Sequence, residues 1–147
     1  MRPPDLLWHG TTADFDEFDA RHLGRMVRNP TTEFGFFFSE DREDAASWAF
    51  RSIEVGRAAG APRILQVTLD LAAPVEISAA KFQFYLQKAR VSTIQRDLHA
   101  WRAAGHDSMT TTRGGKRWWC AFDPARVRII ASELLDAPDA SQDMPGF

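Results

Sequence analysis

The chain has 147 residues, 44% of them hydrophobic and 26% charged, with a formal net charge of −2. That is enough chain for one domain with a real core, and too little positive charge for a dedicated nucleic-acid-binding module. The one cysteine, Cys120, excludes an internal disulfide framework and a multi-cysteine zinc site; no apolar run reaches the roughly 20 residues of a membrane span, and the start lacks a signal-peptide pattern, so a cytoplasmic protein with no membrane partner is expected.

In chain order, Asp5 to Gly10 reads as a first strand after a leader that two prolines keep irregular. Thr11 to Pro30 is mixed and polar, with Phe15 and Phe18 spaced to anchor a loop or short helix and with turn signals at Gly24 and Asn29-Pro30. Phe34 to Ser39 is a second strand whose phenylalanines are expected to be buried on both faces. Ser39 then reads as an N-cap, with Glu40 and Asp41 favouring the helix dipole. The helix should run to Ile53 or Arg57, ended by Gly56 and Gly60-Ala61-Pro62.

Arg63 to Leu71 and Val75 to Ile77 read as strands, and Lys81 to Lys88 and Val91 to Ala104 as helices, the latter opening at a Ser92 cap and closing at Gly105. Ser108 to Thr110 and Trp118 to Phe122 are strands around the Gly114-Gly115 turn, and Val127 to Ile130 is a last short strand. Residues 1–135 should form a single domain, with 136–147 a polar, flexible tail. Strands and helices do not alternate as βαβ units, so the class is α+β.

His9 ends the first strand beside Gly10, where a missing side chain allows close approach to the backbone, and Thr11 and Thr12 add hydroxyls that serve a ligand or the next turn. Strand alternation puts Phe37 opposite Phe36 and Phe38, so burial of that pair leaves Phe37 needing another partner, such as a stacked ligand ring. Trp48 can pack helix on sheet or supply a second stacking face. Arg113, Lys116 and Arg117 flank an expected exposed hairpin tip, which is either solvated or a phosphate contact, and Arg25 and Arg28 precede the second strand. Asp107 is a turn residue or a site carboxylate, Asp41 reads as a helix-start charge, and Glu33 is a third candidate acid.

Leu6-Leu7-Trp8-His9-Gly10-Thr11 resembles the first motif of the poly(ADP-ribose) polymerase-like, diphtheria-toxin-like branch of the ADP-ribosyltransferase superfamily. Gly35-Phe36-Phe37-Phe38-Ser39 with Ala45-Ala46-Ser47-Trp48 resembles its second motif. Phe15-Asp16-Glu17-Phe18-Asp19, Gly24, Gly105-His106-Asp107-Ser108 and Trp119-Cys120-Ala121-Phe122-Asp123-Pro124 are similar to segments of small bacterial and phage members. The resemblance covers roughly residues 6 to 130, and it is the order and spacing of the motifs that are specific.

The resemblance implies a split-sheet fold with short helices packed on the sheets, NAD as co-substrate with no metal, and mono-ADP-ribosylation of a macromolecular target, protein or nucleic acid. His9 would hydrogen-bond the NAD ribose and Gly10 would hold the carboxamide. Phe37 would take the place of a tyrosine, and Trp48 would stack on the nicotinamide. Thr11, Thr12, Arg25, Phe36, Ser39 and Ser47 would complete the cofactor side, with Asp107 a candidate acid. Trp118 stands where many members carry a glutamate, which makes polymer elongation unexpected and raises an NAD-binding, non-catalytic domain as an alternative. An RNA 2′-phosphotransferase-like enzyme is a third. Such proteins often act as toxins or effectors, which would imply an inhibitor or immunity partner.

Overall fold

In the computed structural model the described residues are 1–11, 30–54 and 61–135. The readings for Thr12, Phe15, Phe18, Gly24, Arg25, Arg28, Gly56 and the 136–147 tail therefore fall outside them. The described residues form strands β1 (Leu7–Thr11) and β2 (Phe36–Ser39), helix α1 (Arg42–Glu54), strands β3 (Arg63–Leu69) and β4 (Pro74–Glu76), and helices α2 (Ala79–Gln87) and α3 (Val91–Ala103). They close with strands β5 (Ser108–Arg113), β6 (Lys116–Ala121) and β7 (Val127–Leu134). This is an α+β fold with a seven-stranded mixed sheet in the order β4-β5-β6-β2-β1-β3-β7.

One junction in that sheet is different. β2 and β6 pair over four residues and β1 and β3 over five, whereas β1 and β2 meet at the single pair Trp8↔Ser39. Two half-sheets, β4-β5-β6-β2 and β1-β3-β7, are thus joined along a seam with one rung. A first core cluster draws on both halves, with Leu7, Leu65 and Val67 from one and Phe36, Phe38, Trp119 and Ala121 from the other. Residues of opposite parity in β2, β5 and β6 (Phe37, Met109, Trp118, Cys120) face a second cluster under α2 and α3, around Phe34, Phe82, Tyr85 and Ile94. The third, smaller cluster lies under α1, where Ala45, Ala46 and Ile64 meet Trp8 and Trp48.

Local chemistry explains most element ends. Gly114 and Gly115 both take positive φ (59° and 78°), the backbone of a two-residue hairpin whose twist matches the strands, and Arg113 pairs with Lys116 across it. α3 ends with Gly105 N–H on the Arg102 carbonyl and His106 N–H on the Trp101 carbonyl, the Schellman arrangement. Two expected caps are corrected. α1 is capped by Asp41, whose Oδ1 accepts the Asp44 N–H at 2.9 Å, and not by Ser39. α3 starts at Val91, as expected, but after the extended Arg90, which makes no side-chain cap bond; Ser92 lies inside the first turn and is not the cap. β7 runs four residues beyond Ile130, because pairing with β3 supplies hydrogen bonds that a polar, exposed stretch does not announce.

Candidate functional site

The site is built on the seam. Immediately after the Trp8↔Ser39 rung, the His9 side chain spans the gap: its Nδ1–H donates to the Phe37 carbonyl at 2.7 Å. That bond selects the Nδ1–H tautomer and makes Nε2 the acceptor nitrogen. The residue is 8% exposed, and its ring lies 5.5 Å from the Phe38 ring and 5.8 Å, edge-on, from Trp48. Burial drives its pKa down to about 4, outweighing the Phe37 bond that pulls it up. The imidazole is therefore neutral at physiological pH.

Beyond Trp48 stand three more rings, those of Trp118, Phe37 and Phe82. Trp48 from α1 meets Trp118 from β6 edge-to-face at 5.0 Å. Trp118 in turn contacts Phe37 at 6.1 Å and Phe82 of α2 at 5.7 Å, and Phe37 lies 5.6 Å from Phe82. The Arg113 guanidinium stands over Trp118, 6.0 Å from the ring centroid, and is itself held by Gln83 Oε1 at 2.7 Å. A carboxylate ties the group to α1. Asp44 Oδ2 accepts the Trp118 indole N–H at 2.7 Å and the Ser39 hydroxyl at 2.8 Å.

Of the residues named from the sequence, His9, Phe37, Ser39, Trp48 and Trp118 come together here. The others are placed elsewhere or used differently. Phe36 is buried in the first core cluster, on the opposite face of β2 from Phe37, because neighbours on a strand alternate. The open side of Gly10 is taken by α1: a Cβ there would lie 1.8 Å from the Ala45 carbonyl oxygen, so the glycine serves helix-on-strand packing. Thr11 is 2% exposed and is paired with Arg63 of β3. The Ser47 hydroxyl donates to the Asp44 carbonyl at 2.6 Å, a bond within α1.

Asp107 lies at the far end of β5 from Trp118, whose partner is Thr111. Its carboxylate accepts the Ala72 and Ala73 amides and the Ser108 hydroxyl, which makes it a turn residue. Burial alone would raise its pKa, but those bonds win and hold it below the usual carboxylate value. Glu33 ends a 3-10 turn, Pro30–Glu33, ahead of β2.

The basic residues are not a bare loop tip. Arg113, Lys116 and Arg117 are all strand residues, with only the glycines between them. Lys116 Nζ pairs with Asp41 at 2.8 Å, a contact that lowers the carboxyl pKa and raises that of the amine. Arg117 bonds Glu76 at 3.3 Å and Thr110 Oγ1 at 3.1 Å. Cys120 is fully buried and its thiol is pushed well up by desolvation, which keeps it an inert core residue.

Sequence reasoning missed Asp44, Phe82 and Gln83. Asp44 looked like any acid in a first helical turn, and α2 carried no motif. The signal available was indirect: two adjacent tryptophans on a strand, Trp118 and Trp119, each need an acceptor for the indole N–H. The acceptors come from residues flanking the start of α1, Asp44 for Trp118 and Glu40 for Trp119, both at 2.7 Å.

No protein-family model matches the chain, and no curated protein matches it significantly. Solved structures do. A chain of the crystal structure of the M. tuberculosis MbcT-MbcA toxin-antitoxin complex is similar at a TM-score of 0.57 and 12% identity, over 89% of this chain and 84% of that one. An anti-CRISPR protein is similar at a TM-score of 0.42 and 14% identity, over 85% of this chain and 94% of that one. At 12% identity, the first likeness establishes a shared fold. Among the described residues no helix is long and apolar enough to cross a membrane.

Proposed function

We propose that the chain is an NAD-dependent mono-ADP-ribosyltransferase that modifies a macromolecular target and releases nicotinamide. The observation that carries this reading is the seam itself, where a buried, neutral His9 with a fixed tautomer bonds the Phe37 carbonyl and lies against Trp48, whose ring is followed by those of Trp118 and Phe37. Flat aromatic faces suit a planar heterocycle, and an imidazole Nε2 acceptor suits a sugar hydroxyl. These residues fit NAD as co-substrate, which supplies the ADP-ribosyl group and the nicotinamide leaving group.

In this reading Trp48 and Phe37 bracket the nicotinamide, and His9 accepts a hydrogen bond from the ribose. The surrounding rings exclude water that would otherwise compete with the acceptor. The likeness to a chain of a toxin-antitoxin complex supports a toxin or effector role, with an inhibitor or immunity protein as partner.

Transfer of label from adenylate-labelled NAD into a bacterial lysate tests the reading, with folded His9→Ala protein as control. Label that requires His9 is the expected result, and digestion with protease or nuclease identifies the class of target. One specific observation favours a second reading, an NAD- or ADP-ribose-binding domain without catalysis. The β6 position where many members of the resembled family carry a glutamate holds Trp118, which offers an indole N–H and no carboxylate, and that N–H is already committed to Asp44. NAD binding without label transfer would select it. The 2′-phosphotransferase alternative loses support, because Arg113, Lys116 and Arg117 are each engaged by a neighbouring side chain.

A further inference from the structure

We propose that Asp44 is a positioning residue of this site, holding the Trp118 indole against α1 and so setting the ring that faces Trp48; the proposal rests on the NAD-binding reading above. An acid in a first helical turn ordinarily serves the helix terminus. Here that task is already met, since Asp41 Oδ1 takes the amide of Asp44 itself. The Asp44 side chain turns to the sheet instead, where one oxygen, Oδ2, receives two donors from two strands: the Trp118 indole N–H at 2.7 Å and the Ser39 hydroxyl at 2.8 Å.

The Ser39 oxygen is also used in the other direction, accepting the Asp41 amide at 3.0 Å. Ser39 is fully buried and is the β2 member of the single rung that joins the half-sheets. Asp44 therefore ties together the start of α1, the seam and the β6 tryptophan. Bonds to a charged acceptor are shorter and stronger than neutral ones, so the indole is held in one orientation. Its ring reaches Trp48 at 5.0 Å, Phe37 at 6.1 Å and the Arg113 guanidinium at 6.0 Å, all from that fixed point. A rotated Trp118 would remove the wall facing Trp48, and would do so without touching Trp48 or His9.

The test compares Asp44→Asn, Asp44→Ala and the wild-type chain. An asparagine oxygen can accept both donors, whereas alanine accepts neither. The indole N–H resonance of Trp118, assigned by its loss in Trp118→Phe, reports the hydrogen bond directly in a two-dimensional NMR spectrum. NAD binding by calorimetry and steady-state transfer report the site. In Asp44→Ala the resonance should shift toward that of an unbonded indole, and the KM for NAD should rise about tenfold, the share of one stacked ring, with kcat changed much less. Asp44→Asn should restore KM to near wild type.

Loss of kcat at unchanged KM in both variants would overturn the proposal, since the carboxylate would then act through its charge. An unmoved Trp118 resonance in a folded Asp44→Ala protein would overturn it too. Wild-type protein that binds no NAD would instead sink the functional reading, and the role of Asp44 with it. Wild-type binding combined with an unchanged KM in Asp44→Ala would sink only the role of Asp44.

Discussion

His9 shows how much one side chain can carry in this molecule. Its folded-state pKa of about 4 lies below the value of about 6.5 expected when unfolded, so between those limits the unfolded chain binds a proton that the folded chain refuses. The stability this contributes is fully present above about pH 6.5 and is lost as the pH falls toward about 4, by roughly 3 kcal/mol. Denaturant unfolding at about pH 7 and about pH 4.5 checks this against His9→Gln, which cannot titrate there. The wild-type chain should lose more stability than the variant, and equal losses would refute it. Removing His9 also removes the link across the seam, so His9→Ala should cost about 1–3 kcal/mol in folding beyond its effect on transfer. Trp48 carries the complementary prediction. Trp48→Ala should raise the KM for NAD by a factor matching about 1–3 kcal/mol, the worth of a stacked ring, and steady-state kinetics would read it. Phe37 was legible at this scale from strand alternation alone; the engagement of Trp118 by Asp44 was not, because no local pattern links β6 to α1 across 74 positions.

At the scale of elements, α1 and β1 are matched by a glycine. The Ala45 carbonyl occupies the place where a Gly10 Cβ would stand, and Ala45 and Ala49 are fully buried. Small residues on both elements let helix and strand backbones approach closely. Gly10→Ala should force α1 outward and destabilise the fold by about 1–3 kcal/mol, read as a lower midpoint in thermal or denaturant unfolding. It should also move Trp48, so its KM for NAD should rise with the loss of stability. An unchanged midpoint would show that α1 shifts freely on β1. The sequence signalled a glycine with a purpose, and the purpose it pointed to was a ligand. The competing demand, a helix packing on the same backbone, is visible only once α1 is placed.

Across the whole molecule, the single rung between β1 and β2 raises the question of whether the two half-sheets behave as one unit. They share the first core cluster, in which Leu7, Leu65 and Val67 meet Phe36, Phe38 and Trp119, and among the described residues no member of that cluster comes from a helix. Burial of that apolar surface depends on both halves being folded. Unfolding followed by tryptophan fluorescence and by far-ultraviolet circular dichroism should therefore give one coincident transition. Two separated transitions would mean that the halves are independent units joined at the seam. The candidate site lies at that seam, where β1 and β2 share one rung.

What the sequence determined by itself was local and periodic: the α+β class, the approximate spans of strands and helices, the Gly114-Gly115 hairpin, and the opposite facing of Phe36 and Phe37. These follow from side-chain alternation, turn chemistry and apolar spacing, which act over a few residues. Only the tertiary structure decided that Asp107 holds a turn and that Gly10 makes room for a helix. The same holds for the convergence of His9, Trp48, Asp44 and Trp118 at the seam. Each of these depends on hydrogen bonds or packing between elements far apart in the chain. A polar side chain takes whichever partner the fold brings within about 3 Å, and its immediate sequence neighbours do not identify that partner.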